Sequence, residues 1–180
     1  MTTRHESLYK TPWVELMKRT SDENGEYIYI REPWLINGQA VSILPFRMAE
    51  WNGNDFVEIL LRGEMADVPV LGTIKGGCDK EGEAIVDTAI RELLEEAGYS
   101  VDSSQMIPLG TVRTSKLSTT TMNLFAVDLT DIEQGEAIGD GTQNEANAFV
   151  KWVSERESWE AQDPVVHTSI LRLLNQVRGY

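Results

Sequence analysis

Three glutamates, Glu92, Glu95 and Glu96, stand at positions i, i+3 and i+4. On a helix that spacing brings all three carboxylates to one face within about one turn. Like charges so close repel one another, and a chain arranged for stability alone would place lysines among them. A hard divalent cation removes the cost, because Mg2+, or Mn2+ in its place, prefers carboxylate oxygens and keeps part of its water shell. Arg91 precedes Glu92 and lies four residues before Glu95, placed to tie down Glu95 or Glu83 from the side. Upstream, the pair Gly76–Gly77 lets the backbone pass close to a ligand or metal. Taken alone, the three glutamates also fit a solvated acidic face, and only their surroundings choose between the two.

The surroundings are specific. From Gly77 to Tyr99 the chain reads GCDKEGEAIVDTAIRELLEEAGY, or G-x5-E-x7-R-E-U-x-E-E-x-G-U with U apolar. A chance match to so many fixed positions is on the order of 10⁻⁷ for a chain of average composition. The string resembles the signature of the Nudix hydrolase superfamily, with an aromatic Tyr99 where an aliphatic residue is usual. The resemblance implies an α/β fold, an α/β/α sandwich with a mixed sheet and here a short N-terminal β extension. It also implies metal-dependent hydrolysis of a nucleoside diphosphate linked to another moiety. Carried over to this chain, Glu92 and Glu96 would be the principal metal ligands, with Glu95 completing the cluster and Gly76 adding its carbonyl. Glu83 and Arg91 would brace the loop and helix, and the cations would neutralise the diphosphate and activate a water.

The flanks resemble the branch of the superfamily that hydrolyses ADP-ribose and other ADP-sugars. The stretches that carry this are KTPW (Lys10–Trp13), AVSILPF (Ala40–Phe46), FVEILLR (Phe56–Arg62), MNLFAV (Met122–Val127) and the strand end Val153–Ser154. Two stretches depart from it. Gly72–Lys75 stands where the branch usually has Glu-Leu-Pro-Ala, and Arg113–Thr121 lacks the usual proline. A lysine ahead of the glycine pair is similar to hydrolases of dinucleoside polyphosphates, which makes Lys75 a candidate phosphate contact. Trp34 is a candidate for stacking on a nucleobase, Arg47 and Arg62 for clamping phosphate or ribose, and Arg113 for the substrate loop. Related enzymes place a catalytic glutamate on a loop before a late strand. In Gly139–Ala148 the one glutamate is Glu145, with Asp140 the other acid. Glu95 is the next candidate base after these. By the same resemblance the chain is expected to form a homodimer through its N-terminal segment.

The elements needed to hold this constellation can be read from the pattern. Tyr27–Arg31, Ala40–Phe46 and Phe56–Leu61 look like strands bounded by Gly, Asn or Pro. A glycine-bearing loop over Gly72–Gly82 leads into a helix over Glu83–Ala97, with Val86, Ala89, Ile90, Leu93 and Ala97 on one face and Gly98 as its stop. Strands follow at Pro108–Val112, Met122–Val127 and Phe149–Val153, and a last amphipathic helix at Val165–Val177. This order fits a mixed sheet covered by helices rather than a doubly wound array. Residues 1–39 read as an N-terminal extension, and 40–180 as the domain that carries the 77–99 string.

Composition narrows the classes that remain. The chain has 180 residues, 41% apolar and 25% charged, ordinary values for one globular domain. It lacks an apolar run near the ~20 residues of a membrane span, and MTTRHESLYK has no signal-peptide core. The expectation is a soluble cytoplasmic protein acting on a small-molecule nucleotide. One cysteine, Cys78, and two histidines, His5 and His167, exclude an internal disulfide and a His-rich zinc site. The net charge is −13, carried by residues 76–104 and 128–163, and such a chain repels a nucleic-acid backbone. Two rivals stay open: a dinucleoside polyphosphate or capped-RNA hydrolase, and a nucleotide sensor without catalysis.

Overall fold

The computed structural model describes residues 2–64, 70–139 and 148–178. Two sheets organise them. Strands β1 (Thr3–Lys10), β2 (Glu15–Ser21) and β3 (Gly25–Arg31) form an antiparallel three-stranded sheet in that order. This is the N-terminal β extension that the resemblance implied, although the residue pattern picked out only its third strand, because TRHESLYK and ELMKRTS lack the regular apolar alternation of a half-buried strand. All eight residues of β1 are exposed, so its backbone pairing with β2, from Thr3 opposite Ser21 to Lys10 opposite Glu15, defines it. Backbone bonds from Ile30 N to Leu117 O (2.6 Å) and from Thr119 N to Ile30 O (3.0 Å) dock β3 on the 113–120 loop.

The second sheet is mixed. Strands β4 (Gln39–Trp51), β5 (Asn54–Glu64), β8 (Met106–Val112), β9 (Thr121–Asp128) and β10 (Phe149–Ser154) run in the order β10-β5-β4-β9-β8. The β4–β9 pair is parallel and the rest are antiparallel. Two short strands complete it: β6 (Val70–Gly72) on β5 and β7 (Ile74–Gly77) on β4. The expected glycine loop is therefore strand over its first half. Gly76 and Gly77 pair with Val41 and Ala40, since glycine weakens a strand but leaves both of its ladder groups available.

Helices cover both faces, which makes the expected α/β/α sandwich. Helix α1 (Ile85–Ala97) buries Ala89, Leu93 and Ala97 against Val41, Ile43, Leu60, Ile74 and Val127. On the other face, after the short α2 (Glu155–Ser158), helix α3 (Pro164–Arg178) buries Val166, Ile170 and Leu173 against Leu44, Leu61 and Leu124. Each fully buried aliphatic side chain contributes roughly 1.5–3 kcal/mol, so the two layers fix α1 firmly against the sheet. Helix α1 stops where expected. Gly98 takes φ 74° and its N–H bonds to Leu94 O, the left-handed cap that glycine adopts without Cβ strain. Among the described residues, no helix is long and apolar enough to cross a membrane.

Candidate active site

Helix α1 begins at Ile85, so Glu83 stands before it and reaches back along the first turn. One Glu83 oxygen accepts a hydrogen bond from Thr88 Oγ1 at 2.8 Å, and Arg91 Nε lies 3.3 Å from the other. Burial works against ionisation of Glu83, but the bonds from Thr88 and Arg91 outweigh it and hold the carboxyl below its usual range. Arg91 is the hub of the helix face. Its Nη1 lies 2.8 Å from Glu92 Oε1 and 2.9 Å from Glu95 Oε2, and its Nη2 reaches Asp79 at 3.5 Å.

The three glutamate side chains are not a solvated stripe. Their exposures are 12% for Glu92, 20% for Glu95 and 7% for Glu96. They sit in the trough between α1 and the strands β5 and β7. Burial pushes the Glu92 carboxyl up to about 7; Arg91 opposes the rise and the charge of Glu95 adds to it. A chain that ionises three carboxylates there bears a desolvation and repulsion cost that a bound cation would offset.

The glycine pair has a steric role. A Cβ on Gly76 would lie 1.9 Å from the Glu92 carboxyl carbon, and one on Gly77 would lie 2.1 Å from the Trp34 ring. Only a bare backbone at 76 lets β7 and the Glu92 carboxylate approach this closely. The Gly76 carbonyl and the glutamates make an all-oxygen donor set, the type that Mg2+ and Mn2+ prefer. Among the described residues, no three metal-binding side chains already converge on one point. Glu92 and Glu95 face Arg91, and Glu96 Oε2 lies 3.2 Å from Arg62 Nε. The chemistry of these oxygen donors fits a hard cation.

Three clefts meet at Lys75. The first, about 340 Å3, is lined by Trp34, Lys75, Gly76, Arg91 and the three glutamates. The second, about 220 Å3, shares Trp34, Lys75 and Gly76 and adds Leu35, Thr120 and Met122. The third, about 320 Å3, is lined by Arg62, Val70, Gly72, Thr73, Lys75 and Asp163. Trp34 is half-buried against Gly77, its ring edge-on to Trp13 at 6.2 Å. Arg62 lines the third cleft and pairs with Glu96. Lys75 Nζ lies 2.6 Å from Asp163 Oδ2.

Of the residues expected in the site, the structure thus brings together Glu83, Arg91, Glu92, Glu95, Glu96, Gly76, Trp34, Arg62 and Lys75. Two lie elsewhere. Arg47 pairs with Glu58 across the β4–β5 ladder at 2.6 Å and stacks on Trp152 at 4.2 Å, and it lines none of the three clefts. Arg113 is exposed on the loop whose backbone holds β3. Each was expected in the site for its charge at a strand end or in a loop, a signal that does not say which way the side chain turns. Glu145 and Asp140 lie outside the described residues. Asp163 was missed: it is 7% exposed and caps α3, its Oδ1 accepting from Val165 N at 3.0 Å. The hint for it was the Asp163–Pro164 step that opens the last helix.

A family model described as "NUDIX domain" matches residues 40–174. No curated protein matches the sequence. Among solved structures, an ADP compounds hydrolase superposes with a TM-score of 0.68 at 19% identity, over 98% of this chain and 92% of its own. A mutT/nudix family protein from Listeria innocua gives 0.56 at 16% identity, over 80% of this chain and 98% of its own. The NUDIX domain of Shewanella oneidensis NrtR, solved in complex with ADP ribose, gives 0.54 at 13% identity, over 75% and 87%. At these identities the likeness is one of fold.

Proposed function

The chain belongs to the NUDIX family, and we propose that it is a divalent-metal-dependent pyrophosphohydrolase whose substrate is ADP-ribose or another ADP-sugar. The observation that carries this reading is the burial of Glu92, Glu95 and Glu96 against Gly76 in the trough. Three largely buried acids share Arg91 and Arg62 as counter-charges beside the Gly76 backbone, and a bound cation would offset the rest of their desolvation and repulsion. Solved folds of this shape from an ADP compounds hydrolase and from a NUDIX domain complexed with ADP ribose support the choice of substrate class.

Glu92, Glu96, Glu95 and the Gly76 carbonyl would hold the metal, Mg2+ or Mn2+. When bound, that metal screens the diphosphate charge and lowers the pKa of a coordinated water. Glu83 and Arg91 keep the carboxylates in register on α1, and Arg91 stays cationic because Glu83, Glu92 and Glu95 surround it. Lys75 and Arg62 at the cleft edges meet the phosphates. Trp34 offers its ring to the base in the second cleft, beside Leu35 and Met122. Glu145 takes the proton from the attacking water. The water oxygen bonds to one phosphorus as the bridging P–O bond breaks, and the products are a nucleoside monophosphate and a sugar phosphate.

We also propose a homodimer through the N-terminal sheet. Tyr9, Trp13 and Ile28 are 64%, 66% and 49% exposed, apolar surface that a second copy would cover. The functional reading is tested by incubating the chain and Mg2+ with ADP-ribose, ADP-glucose, UDP-glucose, NADH and diadenosine polyphosphates. AMP release from the ADP-sugars above the other substrates is expected. Preferential cleavage of the dinucleoside polyphosphates, or metal-independent binding with no product at all, overturns it.

A further inference from the structure

We infer that the third cleft is the subsite for the substrate's second, sugar-phosphate moiety, and that Asp163 selects for a hydroxylated one. The inference rests on the ADP-sugar reading above and assigns a role to a residue outside the 77–99 string. Two cations border the cleft, Arg62 and Lys75, and Arg62 also pairs with Glu96. The cleft therefore starts where the carboxylate trough ends. A phosphate leaving that trough meets both cations at once.

Asp163 supplies the complementary chemistry. Its side chain is over nine-tenths buried, and Oδ1 is committed to the α3 cap. Its Oδ2 lines the cleft with Lys75 Nζ 2.6 Å away, an ion pair by distance but out of hydrogen-bond alignment. A carboxylate oxygen accepts more than one hydrogen bond, so Oδ2 beside the Lys75 ammonium can still take an O–H from a ligand in the cleft. The cleft holds about 320 Å3, roughly ten times the share of one water, so there is room for a pentose phosphate. Gly72 keeps that room open beside the acid, since a Cβ there would lie 2.8 Å from Oδ2. Arg62 and the Lys75–Asp163 pair place two cations and a carboxylate acceptor in one cleft, a set that matches a sugar phosphate, whereas bare phosphate uses only the cations.

The test compares ribose 5-phosphate with inorganic phosphate as ligands of the full chain in magnesium buffer, by ligand-observed NMR. Ribose 5-phosphate should bind at least tenfold more tightly, the gain expected of hydrogen bonds to a charged acceptor. Asp163→Asn keeps the α3 cap but replaces the acceptor, and it should erase that margin while phosphate still binds. Lys75→Met should weaken both ligands. Equal affinities on the unsubstituted chain overturn the inference without any variant. A margin that persists in a folded Asp163→Asn protein overturns it too. Failure of the ADP-sugar reading shows separately, as no AMP released from ADP-sugars by the same preparation.

Discussion

Replacing Glu92 by Gln should make the metal-free protein more stable and the metal-loaded protein worse at its task. Burial lifts the Glu92 carboxyl from its ordinary 4.5 to about 7, and at roughly 1.4 kcal/mol per unit the rise amounts to about 3 kcal/mol. The sign follows from linkage: the native state holds this proton more tightly than the unfolded chain. The resulting stabilisation is complete below pH 4.5 and is lost as the pH rises through about 7. Gln mimics the protonated form at every pH. In EDTA, Glu92→Gln should therefore match the parent near pH 4.5 and exceed it at pH 8. At roughly 2–4 °C per kcal/mol for a chain of this size, the gain is on the order of 6–12 °C in Tm. Saturating magnesium should reverse the order at pH 8, because ligand binding stabilises the parent in proportion to its affinity. Magnesium affinity of the parent should also fall as the pH drops below about 7, where the proton competes for Glu92. Thermal melts at four pH values, with EDTA and with magnesium, check all of this. A variant that melts no higher than the parent in EDTA at pH 8, or that magnesium stabilises equally, refutes the argument.

Glu96→Gln should keep the fold and lose roughly 10²–10⁴ in rate on the best substrate, whereas activity at the parent rate without added metal would show the trough to be misassigned. Gly76→Ala puts a methyl 1.9 Å from the Glu92 carboxyl carbon; calorimetry should find magnesium binding weakened at least tenfold, and unchanged binding would remove Gly76 from the site. Glu145→Gln should lower turnover by about 10²–10⁴ at saturating metal and leave metal affinity as it was, while unchanged turnover passes the role to Asp140 or Glu95. Sedimentation at micromolar concentration should show a dimer that Trp13→Glu disperses, and a stable parent monomer would refute the N-terminal contact.

Much of the site was legible in the residues because its logic is local. Glu92, Glu95, Glu96 and Arg91 need only the 3.6-residue period of one helix to share a face, and Gly98 needs only its own backbone freedom to end it. The mixed sheet covered by helices followed from strand and helix order, and the helix on each face from the resemblance of the 77–99 string. What the residues could not show is whether that face looks to solvent. The packing of α1 on β4 and β7 decided it, and side-chain exposures of 7–20% put the three surface-like acids in a largely buried trough. Long-range partners were equally invisible. Arg47 and Arg62 both lie on strands and looked alike as cations, yet one meets Glu58 and Trp152 and the other Glu96. Strands β1 and β2 carry no decisive period and exist because their backbones pair. Asp163 was not singled out in the sequence; it caps the last helix through one oxygen while the other faces Lys75, eighty-eight residues earlier in the chain. Spacing along one element sets which side chains travel together; only the closing of the sheet between two helices sets what they meet and how far water is kept away.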